Sequence, residues 1–521
     1  MRRIVVALAL LGGLLLLTLS ILPTRSVERT PLEVLRERYA IKHKSSVDHT
    51  KFAVLDGPFA APQDVTRACI GCHTERHTEV MASSHWNWER MEYVEGQGIR
   101  KVGKKNIVNN FCIGIAGNEQ LCNRCHIGYG YGDASFDFQN AYNVDCLACH
   151  DNSNVYMKAG AGMPDPTVNL ADVARHVGKP TRTNCGTCHF FGGGGNNVKH
   201  GDLEQALFEP SRELDVHMAV EGLNMQCVAC HTAEQHQMLG KSYSVSSMNR
   251  DRVACESCHG GLPHVDDVLN NHTLKVACQS CHIPTYAKEN PTKLEWDWST
   301  AGRLREGEPF KIHDDSLGVE TYMSTKGSFV WGKNIRPEYA WHNGRASHYL
   351  LGDTFDPVDT LLINELHGSY DDPDAKIVPV KIHRAKQIYD AKNNYLIQPK
   401  TVSNAPGDSG YWREFDWSRA AAAGMNRLGL PFSGEYGFAA TKMHWPVNHM
   451  VAPASKSVRC IECHTRENSR LAGLTDFYMP GRDRSVWLDR VGVGVLVLTL
   501  GGVLTHALAR LIVARRGKER P

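Results

Sequence analysis

The sequence lacks a charge excess of either sign. Its 521 residues carry 58 Lys and Arg against 56 Asp and Glu, a formal charge of +2. Nucleic-acid binders usually carry a strong basic excess, so that class is excluded and the charged positions read as an ordinary solvated surface. Spare cysteine is missing too. Of 17 cysteines, sixteen fall in one repeated pattern and only Cys112 stands outside it. A third absence is regional, because residues 283–459 hold no copy of that pattern.

The pattern is Cys-x-x-Cys-His, and it occurs eight times. The cysteine pairs are Cys69 and Cys72, Cys122 and Cys125, Cys146 and Cys149, Cys185 and Cys188, Cys227 and Cys230, Cys255 and Cys258, Cys278 and Cys281, and Cys460 and Cys463. The histidines that follow are His73, His126, His150, His189, His231, His259, His282 and His464. Each pentad reads as a c-type haem attachment site. Two thiols bond to the porphyrin, and the adjacent imidazole ligates the iron from the proximal side. Zinc sites would pair two Cys-x-x-Cys units, or one unit with a distant histidine pair. Neither zinc nor disulfides explain a histidine after every second cysteine. The expected cofactors are therefore eight covalently bound haems, and a chain with eight irons is built to move electrons.

Haems change the expected architecture. Each is a large apolar disc that the chain wraps in place of a side-chain core. The expected fold is mainly α with much irregular structure, a multihaem cytochrome c fold organised around eight haems, plus terminal hydrophobic helices. The haem-poor segment 283–459 is rich in Trp, Tyr, Gly and Pro. Its Pro and Gly content argues for short helices and irregular loops rather than long regular elements.

Both ends carry apolar runs. Arg2 and Arg3 precede the run from Ile4 to about Leu22, so residues 1–24 read as a signal sequence or an N-terminal membrane anchor. A second run spans Val491 to about Ala509, with Trp487 before it and Arg510, Arg515, Arg516 and Lys518 around its end. It is long enough to cross a bilayer, and the positive-inside preference puts the C-terminus in the cytoplasm. The division expected is a haem domain over 25–484, a transmembrane helix over 485–514 and a cytoplasmic tail over 515–521. The haem domain then faces the periplasm of a bacterial cytoplasmic membrane. His506 lies within the span, where ionisable residues are often functional.

An iron with two imidazole ligands is saturated and relays electrons, whereas an open or weakly held position binds substrate. Counting distal ligands is therefore the functional question. Seven histidines near motifs in polar, turn-like contexts are the leading candidates: His85, His200, His217, His236, His264, His272 and His449. Ten others, among them His43, His49, His77 and His383, are weaker ones. Seven candidates for eight irons leave one iron without a histidine.

The chain resembles the octahaem tetrathionate reductase family of c-type cytochromes over about residues 50–470. The resemblance rests on Asn110-Phe111-Cys112, Gly128-Tyr129-Gly130, Tyr156-Met157-Lys158, Gly162-Met163-Pro164-Asp165-Pro166, Lys199-His200-Gly201-Asp202, Asp215-Val216-His217-Met218 and Asn448-His449-Met450-Val451-Ala452-Pro453. It implies that the haem on Cys122, Cys125 and His126 is the active one, and that Lys158 binds its distal face. A neutral amine is a more displaceable ligand than imidazole, and burial near iron frees its lone pair. Cys112, ten residues before Cys122, is a candidate for exchange with S–S or S–O substrates. Asp202 looks similar to an acidic residue near the family's cavity and could deliver protons or hold the lysine. The C-terminal helix departs from the soluble periplasmic members.

The resemblance implies a reductase of small inorganic nitrogen or sulfur compounds, with tetrathionate, nitrite and hydroxylamine as substrates. The anchor suggests the quinol pool or a membrane cytochrome b-type protein as electron donor. Two alternatives stay open. One is a non-catalytic conduit with eight six-coordinate irons. The other is a hydroxylamine-oxidising octahaem enzyme, which needs a tyrosine cross-linked to the active haem that the sequence does not identify.

Overall fold

The computed structural model describes residues 47–111, 114–240 and 246–518. The N-terminal apolar run and Cys112 lie outside the described residues. The first seven pentads occupy a lobe of short helices and turns. Helix α1 (Pro62–Cys72) shows how such a turn is made. Pro62 sits in its first turn, where a missing N–H costs nothing. Asp64 accepts the Ala61 N–H at 3.0 Å, and the helix runs out at the second haem cysteine. In α2 (Arg182–His189), Thr181 and Asn184 form the reciprocal cap that starts the turn ending at His189. The segments around Asn224–His231 and Ala254–His259 carry helical turns over Cys227–Cys230 and Glu256–His259.

The haem-poor segment overturns its expectation. It supplies all the strands of a nine-stranded sheet. The strands are β1 (Thr292–Asp297), β2 (Lys311–Asp314), β3 (Val319–Met323), β4 (Gly327–Gly332), β5 (Glu338–His342), β6 (Leu361–Leu362), β7 (Lys376–Asp390), β8 (Tyr395–Leu396) and β9 (Tyr436–Pro446). Their order is β6-β9-β7-β1-β4-β3-β2, with β5 and β8 also paired to β7. The pair β7/β9 is antiparallel from Val380↔Pro446 to Asp390↔Tyr436. The pair β7/β1 is parallel. The Pro-rich composition did not break the sheet, because Pro379 sits within β7 opposite Tyr339 of β5.

Alternation along β7 explains its place. One face presents Lys381, His383 and Gln387, all buried. Lys381 donates to the carbonyls of Val198 and Lys199 at 3.0 and 2.8 Å and to the Thr292 hydroxyl. His383 donates through Nε2 to the Lys199 carbonyl at 2.7 Å. Gln387 donates to the Asn109 carbonyl and the Asn110 side chain. This polar face therefore grips the two segments 109–111 and 198–200 that run into the haem lobe. Aromatics fill the core against the sheet: Trp296 stacks on Trp298 at 4.3 Å, and Tyr411 on Trp417 at 3.6 Å. Helix α3 (Trp417–Leu428) closes this core with Trp417, Ala420, Ala421, Gly424 and Met425 on one stripe. Its Arg427 reaches Glu119 at 2.8 Å, just before the second pentad.

The last element is α4 (Val486–Lys518), a 33-residue helix. Its Val486–Arg515 portion is long and apolar enough to cross a membrane, and none of that stretch is buried against the rest of the chain.

Candidate multihaem active site

Every pentad lies on a helical turn, but the second is built differently. Its α-turn ends at Cys122, a 3₁₀ turn covers Asn123–Cys125, and His126 leaves it extended at φ −70, ψ 138. The other seven motif imidazoles each face one further imidazole. The pairs are His49 with His73 at 6.3 Å between ring centroids, His85 with His189 at 6.2 Å, and His236 with His150 at 6.3 Å. His217 lies 5.9 Å from His259, His449 lies 6.2 Å from His231, His264 lies 6.1 Å from His282, and His272 lies 6.2 Å from His464. Metal–imidazole bonds of about 2.0–2.1 Å put two rings on one metal with centroids roughly 6.3 Å apart. The spacing suits an iron between each pair.

Hydrogen bonds orient these rings. A metal-binding histidine commonly donates its second ring N–H to a carbonyl or carboxylate. Nδ1 does so in His150 to Gly178 O at 2.8 Å, His231 to Leu239 O at 3.0 Å, His464 to Pro480 O at 2.7 Å and His272 to Val268 O at 2.7 Å. His236 uses Glu79 at 2.7 Å, and His449 uses Asp202 at 3.1 Å. In each of these six rings, Nδ1 is the anchored nitrogen.

His126 reverses the pattern. Its Nε2 donates to the Trp86 carbonyl at 2.7 Å, and its Nδ1 is buried without a partner. Trp86, Trp88, Tyr131, Phe136 and Phe138 cage the ring at 5.0–6.0 Å. Its side chain does not line the large central cavity, whereas Cys122, Cys125 and Lys158 do. The expectation of His126 as proximal ligand thus meets a ring whose iron-binding nitrogen is engaged elsewhere.

Lys158 takes a different course. Its amine donates to Asp145, and both side chains are nearly or fully buried. Asp145 also accepts the Tyr129 and Tyr156 hydroxyls at 3.1 and 2.8 Å and the Ala148 N–H at 3.1 Å. Burial and the Asp145 charge push both phenols well above their ordinary range, so they stay neutral donors. The loop 157–165 folds back on the second pentad. A Cβ on Gly162, at φ +72, would meet the Gly128 carbonyl at 2.4 Å. Asp145 was missed in the sequence because it reads as a spacer before Cys146.

His200 faces no motif histidine in a stacked pair. It is set edge-on to Trp445 at 4.9 Å, and Trp445 stacks on His383. His49, ranked among the weaker candidates, holds the seventh pairing instead. Asp202 is not beside Lys158. Its carboxylate accepts the Asn448 and His449 backbone N–H groups at 2.7 and 3.0 Å as well as His449 Nδ1. Cys112 itself lies outside the described residues. Gly114 O is 4.0 Å from Cys122 Sγ, and a Cβ on Gly193 would lie 3.4 Å from Phe111 O. The cavity is lined also by Gly192–Gly195, Trp298, Trp412 and Lys326, and Lys326 is within electrostatic reach of Cys122. Lys326 lies 5.1 Å from the Trp412 ring, and burial lowers its pKa.

The cavity is continuous at about 4100 Å³, and it reaches cysteines of the first seven pentads. Neighbouring pentads meet through their sulfurs, which are thioethers once haem is attached. Cys69 hydrogen-bonds with Cys146, Cys125 with Cys188, Cys185 with Cys227 and Cys255 with Cys278. Cys149 is in electrostatic reach of Cys185, Cys230 of Cys258, and Cys281 of Cys460 and Cys463. The sites follow one line: first, third, fourth, fifth, sixth, seventh, eighth. The second branches from the fourth.

A crystal structure of octaheme cytochrome c from Shewanella oneidensis is 44% identical to this chain, covers 84% of it and 98% of its own length, and superposes with a TM-score of 0.78. The chain belongs to the octahaem c-type cytochrome family. A family model described as bacterial cytochrome c matches residues 293–467, the sheet segment and the last pentad. An uncharacterized protein of Archaeoglobus fulgidus is 24% identical over 275 residues, 42% of this chain and 88% of that one. The cytochrome carries covalently bound c-type haems, and the cavity, sulfurs and imidazole pairs fit them. It is an oxidoreductase of the multihaem kind.

Proposed function

We propose that this cytochrome is a membrane-anchored, periplasm-facing octahaem reductase whose second haem is ligated by Lys158 and reduces small oxidised nitrogen or sulfur compounds. The observation that carries this reading is the reversal at His126. Its Nε2 is committed to Trp86 O, its ring lies outside the cavity, and the Lys158 amine lines the cavity beside the same cysteines. Lys158 then stands in for His126 and is not a distal ligand, which leaves the other face of that haem for substrate.

Bound haem supplies one-electron transfer at each iron. The chain's own residues do the rest. Seven imidazole pairs saturate seven sites and make them relays. Asp145 accepts an N–H from Lys158 and so fixes the amine's direction while Tyr129 and Tyr156 satisfy its remaining lone pairs. Lys326, which pairs with no carboxylate among the described residues, and the backbone of Gly192–Gly195 provide a cationic, closely approachable wall that suits anions such as tetrathionate or nitrite. Reduction of tetrathionate to two thiosulfates takes two electrons and breaks one S–S bond, and needs no proton. Nitrite reduction needs protons, for which His200 faces the cavity. The C-terminal helix α4 supports membrane anchoring with the haem lobe on the periplasmic side.

The test is spectroscopic. Lys158→Ala should alter the signal of one haem in eight and abolish turnover of tetrathionate, nitrite and hydroxylamine by dye-reduced protein. An unaltered spectrum would remove Lys158 from the site. If none of those substrates is turned over by the native chain, the conduit reading takes its place.

A further inference from the structure

The chain that leaves the eighth pentad is pinned to it as far as Arg482, which leaves only a short connection to α4. His464 Nδ1 donates to Pro480 O at 2.7 Å. Gly481, at φ +85, packs so closely that a Cβ there would sit 2.9 Å from His464 O. Arg482 then ties the preceding loop into a knot. Its guanidinium donates to Leu471 O at 2.7 Å, to Phe477 O at 2.8 Å, to Leu474 O and to Asp483. Leu471, Leu474 and Met479 anchor the knot on Trp341, Ala375 and Ile377. Two residues later, Ser485 caps α4 through Leu488 N at 3.3 Å, and Arg484 pairs with Asp489 at 3.0 Å.

Chain geometry limits the separation. Five residues from Gly481 to Val486 span at most ~18 Å. The helical stretch Val486–Arg490 adds about 7 Å before the apolar run. The eighth site is thus held within about 25 Å of the start of the membrane-crossing segment. It is also the terminal member of the line of sites, joined to the rest through Cys281 of the seventh. Ile461 within its pentad, Tyr478 beside it and Trp487 at the helix start are all exposed.

We propose that the eighth site, held by His464 and His272, is where the haem domain takes electrons from the membrane, and that the partner is a lipid-dissolved hydroquinone. This rests on the anchoring and relay described under the proposed function. The hydroquinone loses two electrons and its two O–H protons and becomes the quinone. The electrons enter singly at the eighth site and the protons pass to water on the haem-domain side. From there the line of sulfur contacts leads through the seventh, sixth, fifth and fourth sites to the second. The first and third sites lie off this route.

The experiment uses the full haem-loaded chain in phospholipid vesicles containing a menaquinol analogue, with haem reduction followed by stopped-flow absorbance. A second chain carries three Glu-Ala-Ala-Ala-Lys repeats after Ser485, a mostly helical spacer that lifts the domain by roughly 20 Å. The native chain should be reduced by the vesicle hydroquinone, and the spacer should slow that reduction at least about tenfold by moving the port away from the bilayer. Dye-driven substrate turnover should be the same in both chains. Equal hydroquinone rates with and without the spacer would overturn the proposal, as would a native chain that dye reduces and hydroquinone does not. Loss of dye-driven turnover in the native chain would count against the reductase reading alone, because the vesicle reduction rates still decide the port.

Discussion

The Nε2 of His126 donates to the carbonyl oxygen of Trp86 across 2.7 Å, inside a cage of five aromatic rings. A histidine from a haem motif is thereby used as a core side chain. Substituting it should harm folding more than ligation. His126→Ala should cost roughly 2–4 kcal/mol of stability, from the lost packing and the orphaned Trp86 carbonyl. The second haem's spectrum should persist in the folded fraction. By contrast, His150→Ala should remove one bis-imidazole signal. Loss of the second haem's signal in His126→Ala would restore the ordinary reading of the motif.

Asp145 holds Lys158 from a fully buried position. Removing one partner of a buried pair leaves the other uncompensated, at a cost of about 3–5 kcal/mol. Asp145→Asn keeps the shape and loses the charge. It should shift the second haem's spectrum and lower kcat while the other seven signals stay in place. Wild-type kcat with an unshifted spectrum would make Asp145 a structural residue only.

His49 and His200 exchange the roles expected of them. His49→Ala should convert one low-spin haem to high spin, because its ring stands 6.3 Å from His73. His200→Ala should leave the low-spin count unchanged and, if His200 delivers protons, slow nitrite reduction more than tetrathionate reduction. Electron paramagnetic resonance of the two variants decides this. A high-spin conversion in His200→Ala and none in His49→Ala would refute the pairing.

Asp202 anchors His449 through Nδ1 and is itself held by two backbone N–H groups. An anionic acceptor makes the imidazole a stronger donor to ferric iron. Asp202→Asn should therefore raise the potential of the His231/His449 haem in a spectroelectrochemical titration. A titration that superimposes on the native one would show the hydrogen bond to be electronically neutral.

Lys326 faces the cavity near Cys122 with an aromatic neighbour and no carboxylate partner among the described residues. Lys326→Gln should raise KM for anionic tetrathionate by about tenfold, the equivalent of ~1.4 kcal/mol. KM for neutral hydroxylamine should hardly change. Equal effects on both substrates would assign Lys326 to packing.

The sites were far more legible than the scaffold. The pentads single out sixteen cysteines and eight histidines; seven of those histidines face a second imidazole across a haem-sized gap, six of them one of the leading candidates, while His126 does not. Their partners were not legible, because distal rings come from segments adjacent in space. His85 follows the first motif and faces the fourth; His449 precedes the eighth and faces the fifth. His49, among the weaker candidates, lies twenty residues before Cys69 and nevertheless faces His73 of that motif. The sheet escaped notice for a different reason. In β7 both faces are largely buried and one of them carries Lys381, His383 and Gln387, so the usual apolar-in, polar-out alternation is absent, and Pro379 argues against a central strand. Those buried polar groups exist to hold segments 109–111 and 198–200, a need that local sequence does not reveal. The reversal at His126 was equally hidden, since its pentad is identical in form to the other seven.

The most direct measurement is the pair of iron–nitrogen distances at the second haem in a haem-loaded crystal structure. Lys158 Nζ at bonding distance, about 2 Å as for other metal–nitrogen bonds, with His126 Nε2 still on the Trp86 carbonyl, is the predicted result. An iron bound by His126 Nε2, with Lys158 left on Asp145, would contradict it.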